Sequence, residues 1–209
     1  MAGQANPATV FVVDDDAAVR EYLRWLIDSA GWNVETFASA QAFLDTYDPK
    51  RPGCLVLDVR MPVMNGFDLQ AELAARKITI PIIMMTGYAQ VPMAVRAMRA
   101  GAVDFIQKPF SDQDLLDRIQ EGIQKDTQER RRRSGQEDAT ACLARLTPRQ
   151  RQVLDGLLAG KQSKVIAADL GMSPRTVDVH RYRIMQRMKV NSLPDLFRVV
   201  LGGRTESGE

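Results

Sequence analysis

The chain's 209 residues suit one large domain or two small ones, and a 45% hydrophobic content is ordinary for a globular chain, so disorder is not the default. No apolar run approaches the ~20 residues of a membrane span, residues 1–9 lack the pattern of a secretory leader, and two cysteines with one histidine exclude a disulfide framework and most zinc sites. The net charge of +2 hides a balance of −5 over residues 1–124, where 16 acids face 11 bases, and of +5 over residues 146–209, where 11 bases face 6 acids. A basic half points to nucleic acid as its partner.

Five short β-rich runs are predicted in the first part, at 10–13, 33–37, 54–57, 80–84 and 103–106. Stretches of helical spacing alternate with them. Val19, Leu23, Leu26 and Ile27 share one face, and Phe67, Leu69 and Leu73 another. Met93, Val95 and Met98 make a third, and Leu115, Leu116, Ile119 and Ile123 the last. Gly31 and Gly101 stand where helices should stop, and Ser111, three before Asp114, opens a helix in the manner of a capping box. Strands alternating with helices predict a doubly wound, five-stranded parallel α/β sheet over residues 1–124.

Residues 125–145 hold an arginine run at 130–133 and almost nothing apolar; they read as a partly helical linker, with the run as a solvated helix end or hinge. No β-rich run follows. Val153, Leu154, Leu157 and Leu158, then Val165, Ile166 and Leu170, then Val177, Ile184, Met185 and Met188, and finally Leu193, Leu196, Phe197 and Val200 form four apolar stripes. They predict four short helices over residues 146–209.

In an open parallel sheet ligands bind beyond the carboxyl ends of the strands. Asp14, Asp15 and Asp16 follow the first run, Asp58 the third, Thr86 the fourth and Lys108 the fifth. A sheet centred on its first strand brings these loops to one edge. Clustered carboxylates call for a hard divalent cation such as Mg²⁺. Asp58 is then a candidate nucleophile toward a phosphoryl group, with Lys108, Thr86 and the cation set to hold the transferred oxygens. Any one Asp after a strand is more often a turn or cap residue; the coincidence of four filled strand ends favours chemistry. Asp16 reads as the cap of the first helix, and Pro62 and Gly66 as shapers of the loop behind Asp58.

In the basic half, Ala167 to Met172 reads as a helix ending in a glycine turn, and Ser173-Pro174-Arg175-Thr176 as the start of the next. Helix, short glycine turn, helix is the helix-turn-helix arrangement. The second helix buries Val177, Ile184, Met185 and Met188 and shows Arg175, Thr176, Val179, His180, Arg183 and Arg187, a face able to enter a major groove. Lys161, Lys164 and Arg181 read as phosphate contacts. Asp178 either accepts from a cytosine amino group or keeps off nonspecific phosphate. From charge alone, a protein-binding module with a solvated basic face fits equally well. His180 lacks nucleophile partners and suits packing or a DNA-backbone contact better than catalysis.

The pieces Val-Val-Asp-Asp-Asp at 12–16, Leu-Asp-Val-Arg-Met-Pro-Val-Met-Asn-Gly at 57–66, Met-Thr-Gly at 85–87 and Lys-Pro-Phe at 108–110 resemble the receiver domain of two-component response regulators. Leu-Thr-Pro-Arg-Gln at 146–150, Lys-Val-Ile-Ala at 164–167 and Ser-Pro-Arg-Thr-Val-Asp-Val-His-Arg at 173–181 resemble the LuxR-type DNA-binding domain of FixJ/NarL regulators. Together they span nearly the whole chain, and Ser-Leu-Pro-Asp-Leu at 192–196 is closest to the FixJ branch.

The resemblance implies a strand order of 2-1-3-4-5, Asp58 as phosphoacceptor, and Mg²⁺ (with Mn²⁺ as a substitute) held by Asp14, Asp15, Asp58 and the backbone carbonyl of Arg60. It implies Thr86 and Lys108 on the phosphoryl oxygens and Phe105 as the switch aromatic that follows Thr86. Arg60 and Tyr88 fall at positions that tune phosphoryl lifetime. The implied partners are a sensor histidine kinase, promoter DNA, RNA polymerase and, on phosphorylation, a second copy of the chain, in a bacterial cytoplasm. No enzymatic activity is implied beyond self-phosphorylation and autodephosphorylation. Two departures stand out: Gln150 where many members have Glu, so that an ion pair becomes a hydrogen bond, and Asp178 where lysine is frequent. A haloacid-dehalogenase-like phosphohydrolase, the competing reading, expects a second Asp where Arg60 stands.

Overall fold

The computed structural model describes residues 8–202; residues 1–7 of the polar N-terminal stretch and the tail at 203–209 lie outside them. Five strands and their helices come first: β1 (Thr9–Val13), α1 (Ala17–Ser29), β2 (Asn33–Phe37), α2 (Ala40–Thr46) and β3 (Gly53–Asp58). They continue as α3 (Gly66–Ala75), β4 (Ile82–Thr86), α4 (Val91–Arg99), β5 (Asp104–Gln107) and α5 (Asp112–Ala144). Four helices complete the chain: α6 (Pro148–Leu158), α7 (Ser163–Leu170), α8 (Pro174–Arg187) and α9 (Leu193–Gly202). The chain divides into two compact units, residues 1–129 and 130–209. Among the described residues no helix is long and apolar enough to cross a membrane.

The sheet is parallel throughout, in the order β2-β1-β3-β4-β5, as expected. Alternate side chains of one strand face opposite ways, so each strand feeds two cores. Phe11, Val13, Leu55, Leu57 and Met84 pack on one side with Phe43 of α2, Leu69 and Leu73 of α3 and Ala97 of α4. Val10, Val12, Cys54, Val56, Ile83 and Met85 pack on the other with Leu23, Leu26 and Ile27 of α1 and Leu115 and Ile119 of α5. At roughly 1.5–3 kcal/mol for each buried aliphatic or aromatic side chain, these two layers supply most of the driving force for this unit.

Three details differ from the sequence pattern. β4 starts at Ile82 rather than at residue 80, because Pro81 offers no N–H to the ladder. On α4 the small Ala97 is the fully buried residue and Met93 packs half-buried against the core, while Val91, Val95 and Met98 face outward, so two of the three residues of the expected apolar stripe are exposed. α5 runs to Ala144, through the arginine run and the segment expected to be only partly helical. Its last turns carry Ala139, Cys142 and Leu143 at helical spacing into the core of the second unit.

That core gathers Val153, Leu154 and Leu157 of α6, Ile166 and Ala167 of α7, Val177 and Ile184 of α8, and Leu196 and Val200 of α9. α6 opens on a capping box: the Gln150 N–H donates to Thr147 Oγ1 and the Thr147 N–H to Gln150 Oε1, at 3.2 and 3.1 Å. Gln150 is therefore held by hydrogen bonds alone, in keeping with its lack of charge. Gly171, at φ 62°, makes the left-handed turn between α7 and α8 that a residue with a Cβ adopts at a cost.

Candidate functional site

The strand order brings the carboxyl ends of β1, β3, β4 and β5 to one edge of the sheet. Asp14 follows β1 and is buried; Asp58 ends β3 and is buried; Thr86 ends β4 and is buried. Lys108, just past β5, closes the group. Its Nζ donates to Asp14 Oδ2 at 2.7 Å and to Asp58 Oδ1 at 2.6 Å. The other Asp58 oxygen accepts the Arg60 N–H at 2.6 Å. Both oxygens of the candidate nucleophile are thus oriented before any ligand arrives.

Burial pushes the Asp58 carboxyl above its usual value, against the opposing pull of the Lys108 ammonium and the Arg60 N–H, with Asp14 adding repulsion. Burial by itself would lower the Lys108 ammonium. Its bonds to Asp14 and Asp58 outweigh that and hold it above its usual value. Deleting Lys108 would leave the two buried carboxylates facing each other uncompensated, at roughly 3–5 kcal/mol.

Thr86 Oγ1 accepts the Tyr88 N–H at 3.2 Å and donates to the Tyr88 carbonyl at 3.4 Å. The Tyr88 ring lies under the Arg60 guanidinium, 5.0 Å from its centroid. Phe105, on β5, is half-buried against the α3–α4 side of the sheet. Asp15 is exposed and lines a groove of about 510 Å³ with Val59, Arg60, Met61, Phe67 and Arg96. Asp16 accepts the Ala18 N–H at 2.8 Å and caps α1, as its position suggested. Among the described residues no three His, Cys, Asp or Glu side chains are drawn round one point: Lys108 fills the space between Asp14 and Asp58, and Asp15 faces solvent.

In the second unit, Ser173 caps α8 by accepting the Thr176 N–H at 3.1 Å, with Pro174 at the first helical position. Val177, Ile184 and Met188 form the buried line of α8. Arg175, Thr176, Val179 and Arg183 are exposed, and Lys164 is exposed on α7. Thr176 Oγ1 lies 2.8 Å from Ser173 Oγ, so it also belongs to the cap. His180 and Arg181 are half-buried on the flanks nearer the core, and His180 Nδ1 is enclosed without a hydrogen-bond partner among the described residues. Arg187 donates to the Arg145 carbonyl, and Lys161 pairs with Asp169 at 2.7 Å. Tyr182, 65% exposed, was not singled out in the sequence; it stands three residues after Val179, and helical spacing alone places it on the same outward face.

Residues 10–120 match the response regulator receiver domain, and residues 144–200 match the LuxR family of bacterial regulatory proteins. The transcriptional regulatory protein FixJ of Bradyrhizobium diazoefficiens is 44% identical over 192 residues, 92% of this chain and 94% of that protein. FixJ of Rhizobium meliloti is 45% identical over 195 residues, 93% of this chain and 96% of that protein. The low-resolution structure of the response regulator StyR covers 93% of this chain and 98% of its own, at 47% identity and a TM-score of 0.82. A carboxylate-lined sheet edge followed by a helix-turn-helix is one family plan, and the chain belongs to the FixJ-like response regulators, transcription factors built from a receiver and a LuxR-type domain.

Proposed function

We propose that Asp58 is the residue through which this regulator takes up a phosphoryl group. The observation that carries the reading is the Lys108 ammonium seated between Asp14 and Asp58 at 2.7 and 2.6 Å, at the strand ends where Thr86 also stands. In the transfer, an Asp58 oxygen forms a bond to phosphorus as the bond from phosphorus to the histidine nitrogen of a sensor kinase breaks, and that nitrogen takes up a proton from water. Lys108 then shifts its ammonium to the phosphoryl oxygens, and the Arg60 N–H keeps the carboxyl plane fixed. The site also reacts with small phosphodonors and loses the group by hydrolysis; no other chemistry is assigned to the chain.

The donor set fits a hard divalent cation. All the candidate ligands are oxygens, and two of the carboxylates already share one cationic group. Asp14, Asp15, Asp58 and the Arg60 carbonyl would hold Mg²⁺, or Mn²⁺ in its place, and the cation supplies charge neutralisation to the transferred oxygens.

A phosphoryl group adds a charge of about −1.5 to −2. It draws the Thr86 hydroxyl away from Tyr88, and Phe105 moves into the space released. The outward apolar residues of α4, Val91, Val95 and Met98, suit a face that pairs with a second copy once this region is remodelled. Two copies then present two α8 helices to paired half-sites in promoter DNA. Lys164, Arg175, Thr176, Val179, His180, Arg181, Arg183 and Arg187 form the contact set, and RNA polymerase in the bacterial cytoplasm is the eventual recipient of the signal.

The test is to incubate the protein with a small phosphodonor and Mg²⁺. Wild type is expected to gain label that Asp58→Asn lacks, and promoter affinity to rise only where label is present. Affinity that ignores Asp58 would refute the switch.

A further inference from the structure

α8 carries four arginines and a single carboxylate, Asp178. A carboxylate on a surface that meets DNA is unfavourable, since it repels the phosphates and loses its own hydration. Arg175 and Arg181 lie three positions away on either side, near enough along a helix to neutralise it. Among the described residues Asp178 pairs with neither. Instead Ser163, the first residue of α7, donates its hydroxyl to Asp178 Oδ1 at 3.0 Å. The bond spans the two helices of the helix-turn-helix, so the carboxylate is held against both. Its second oxygen has no partner among the described residues, and the side chain stands exposed beside Val179 and one turn before Tyr182.

The chemistry of the major groove narrows what that oxygen can meet. Guanine and thymine present only acceptors or a methyl group there, and adenine sets its amino donor beside the N7 acceptor. Cytosine alone offers an amino donor with no acceptor on its own major-groove edge. We infer that Asp178, anchored by Ser163, is a specificity-determining residue that selects a cytosine in each half-site by accepting from its 4-amino group. The inference rests on α8 being the helix that enters the groove.

The experiment uses the full chain, treated with a small phosphodonor and Mg²⁺, and a random-sequence duplex pool. Bound sequences are counted for wild type, Asp178→Asn, Ser163→Ala and Arg183→Ala. Asparagine keeps the shape and the acceptor toward Ser163 but turns the free oxygen into a donor, a pairing that suits adenine. At one position per half-site the ratio of cytosine to adenine is expected to fall on the order of tenfold in Asp178→Asn, with other positions unchanged. Ser163→Ala weakens the same cytosine preference without transferring it to adenine.

A uniform rise in affinity for every sequence would mean that Asp178 only holds DNA off. A lower melting temperature with unchanged base preferences would mean that it only ties α7 to α8. Either result overturns the inference. Arg183→Ala separates this from the reading beneath it. If it weakens selective binding while Asp178→Asn leaves base preferences intact, only the role of Asp178 falls; if neither variant alters binding, the role of α8 falls with it.

Discussion

Gly66 opens α3 directly behind the strand that ends in Asp58. A Cβ added there would stand 2.4 Å from the Asp58 carbonyl oxygen, 3.0 Å from Val59 Cα and 3.2 Å from the Asp58 carbonyl carbon. All three are backbone atoms, so no side chain can swing aside. Restoring a carbon–oxygen contact of about 3.3 Å requires a shift of about 0.9 Å. Two hydrogen bonds lie in its path: the Val59 N–H to the Met85 carbonyl at 2.8 Å, and the Gly66 N–H to the Val59 carbonyl at 3.0 Å. Weakening them costs about 1–3 kcal/mol, offset by up to about 1 kcal/mol from alanine's better helix propensity. The larger effect falls on the chemistry, because a displacement of about 1 Å in a reacting group lowers a rate roughly 100-fold. Gly66→Ala is therefore expected to take up label from a small phosphodonor about 100-fold more slowly, with only a modestly lower urea midpoint. Gly87→Ala, next to Thr86, is the control: its Cβ meets nothing within 4 Å, and it should label like wild type. Labelling of Gly66→Ala at the wild-type rate would refute the close-approach reasoning.

Other outcomes follow from the same geometry. The Arg60 guanidinium stacks on the Tyr88 ring; if this pair shields the acyl phosphate, Arg60→Ala and Tyr88→Ala should each shorten the lifetime of the phosphorylated form, and unchanged hydrolysis in both would remove the shielding role. Thr147→Ala breaks the capping box of α6 and should lower the stability of the C-terminal unit by about 1 kcal/mol, read by thermal unfolding. The bond to Arg51 holds the Glu35 carboxyl below its usual value, partly opposed by burial. A lowered carboxyl stabilises the fold above its unfolded value and loses that contribution as pH falls through the folded one. Acidification from neutral pH to below about 4 should thus reduce the urea midpoint more in wild type than in Glu35→Gln, by less than about 1 kcal/mol for so exposed a pair. Equal declines would show that the pair contributes nothing.

The sheet edge was legible because position after a strand is a one-dimensional property: Asp14, Asp58, Thr86 and Lys108 each follow an apolar run, and parallel topology does the rest. Periodicity was a poorer guide to direction. The stripe Met93, Val95 and Met98 has helical spacing, but spacing cannot say whether it meets the sheet or solvent, and Ala97 proved the better fit to a close helix–sheet contact. The arginine run at 130–133 concealed a helix because it lacks an apolar face, although arginine is a good helix former. Tyr182 was overlooked among the charged residues of α8, while its exposure follows from the same spacing that identified Val179. The bond from Ser163 to Asp178 joins residues on two helices, and nothing in the linear order announces it.

The two thiols offer a use that has nothing to do with signalling. Cys54 lies wholly inside the receiver core on β3, and burial pushes its thiol far up, so it resists alkylation while the strand is in place. Cys142, in the last turns of α5, is half-exposed and belongs to the other unit. One chain therefore contains a protected reporter and an open one, read by the same reagent. Modification of Cys54 counts openings of the strand that ends in Asp58, with Cys142 as the internal measure of reagent, so any change in that opening on treatment with a phosphodonor becomes a mass-spectrometric observable without any added probe.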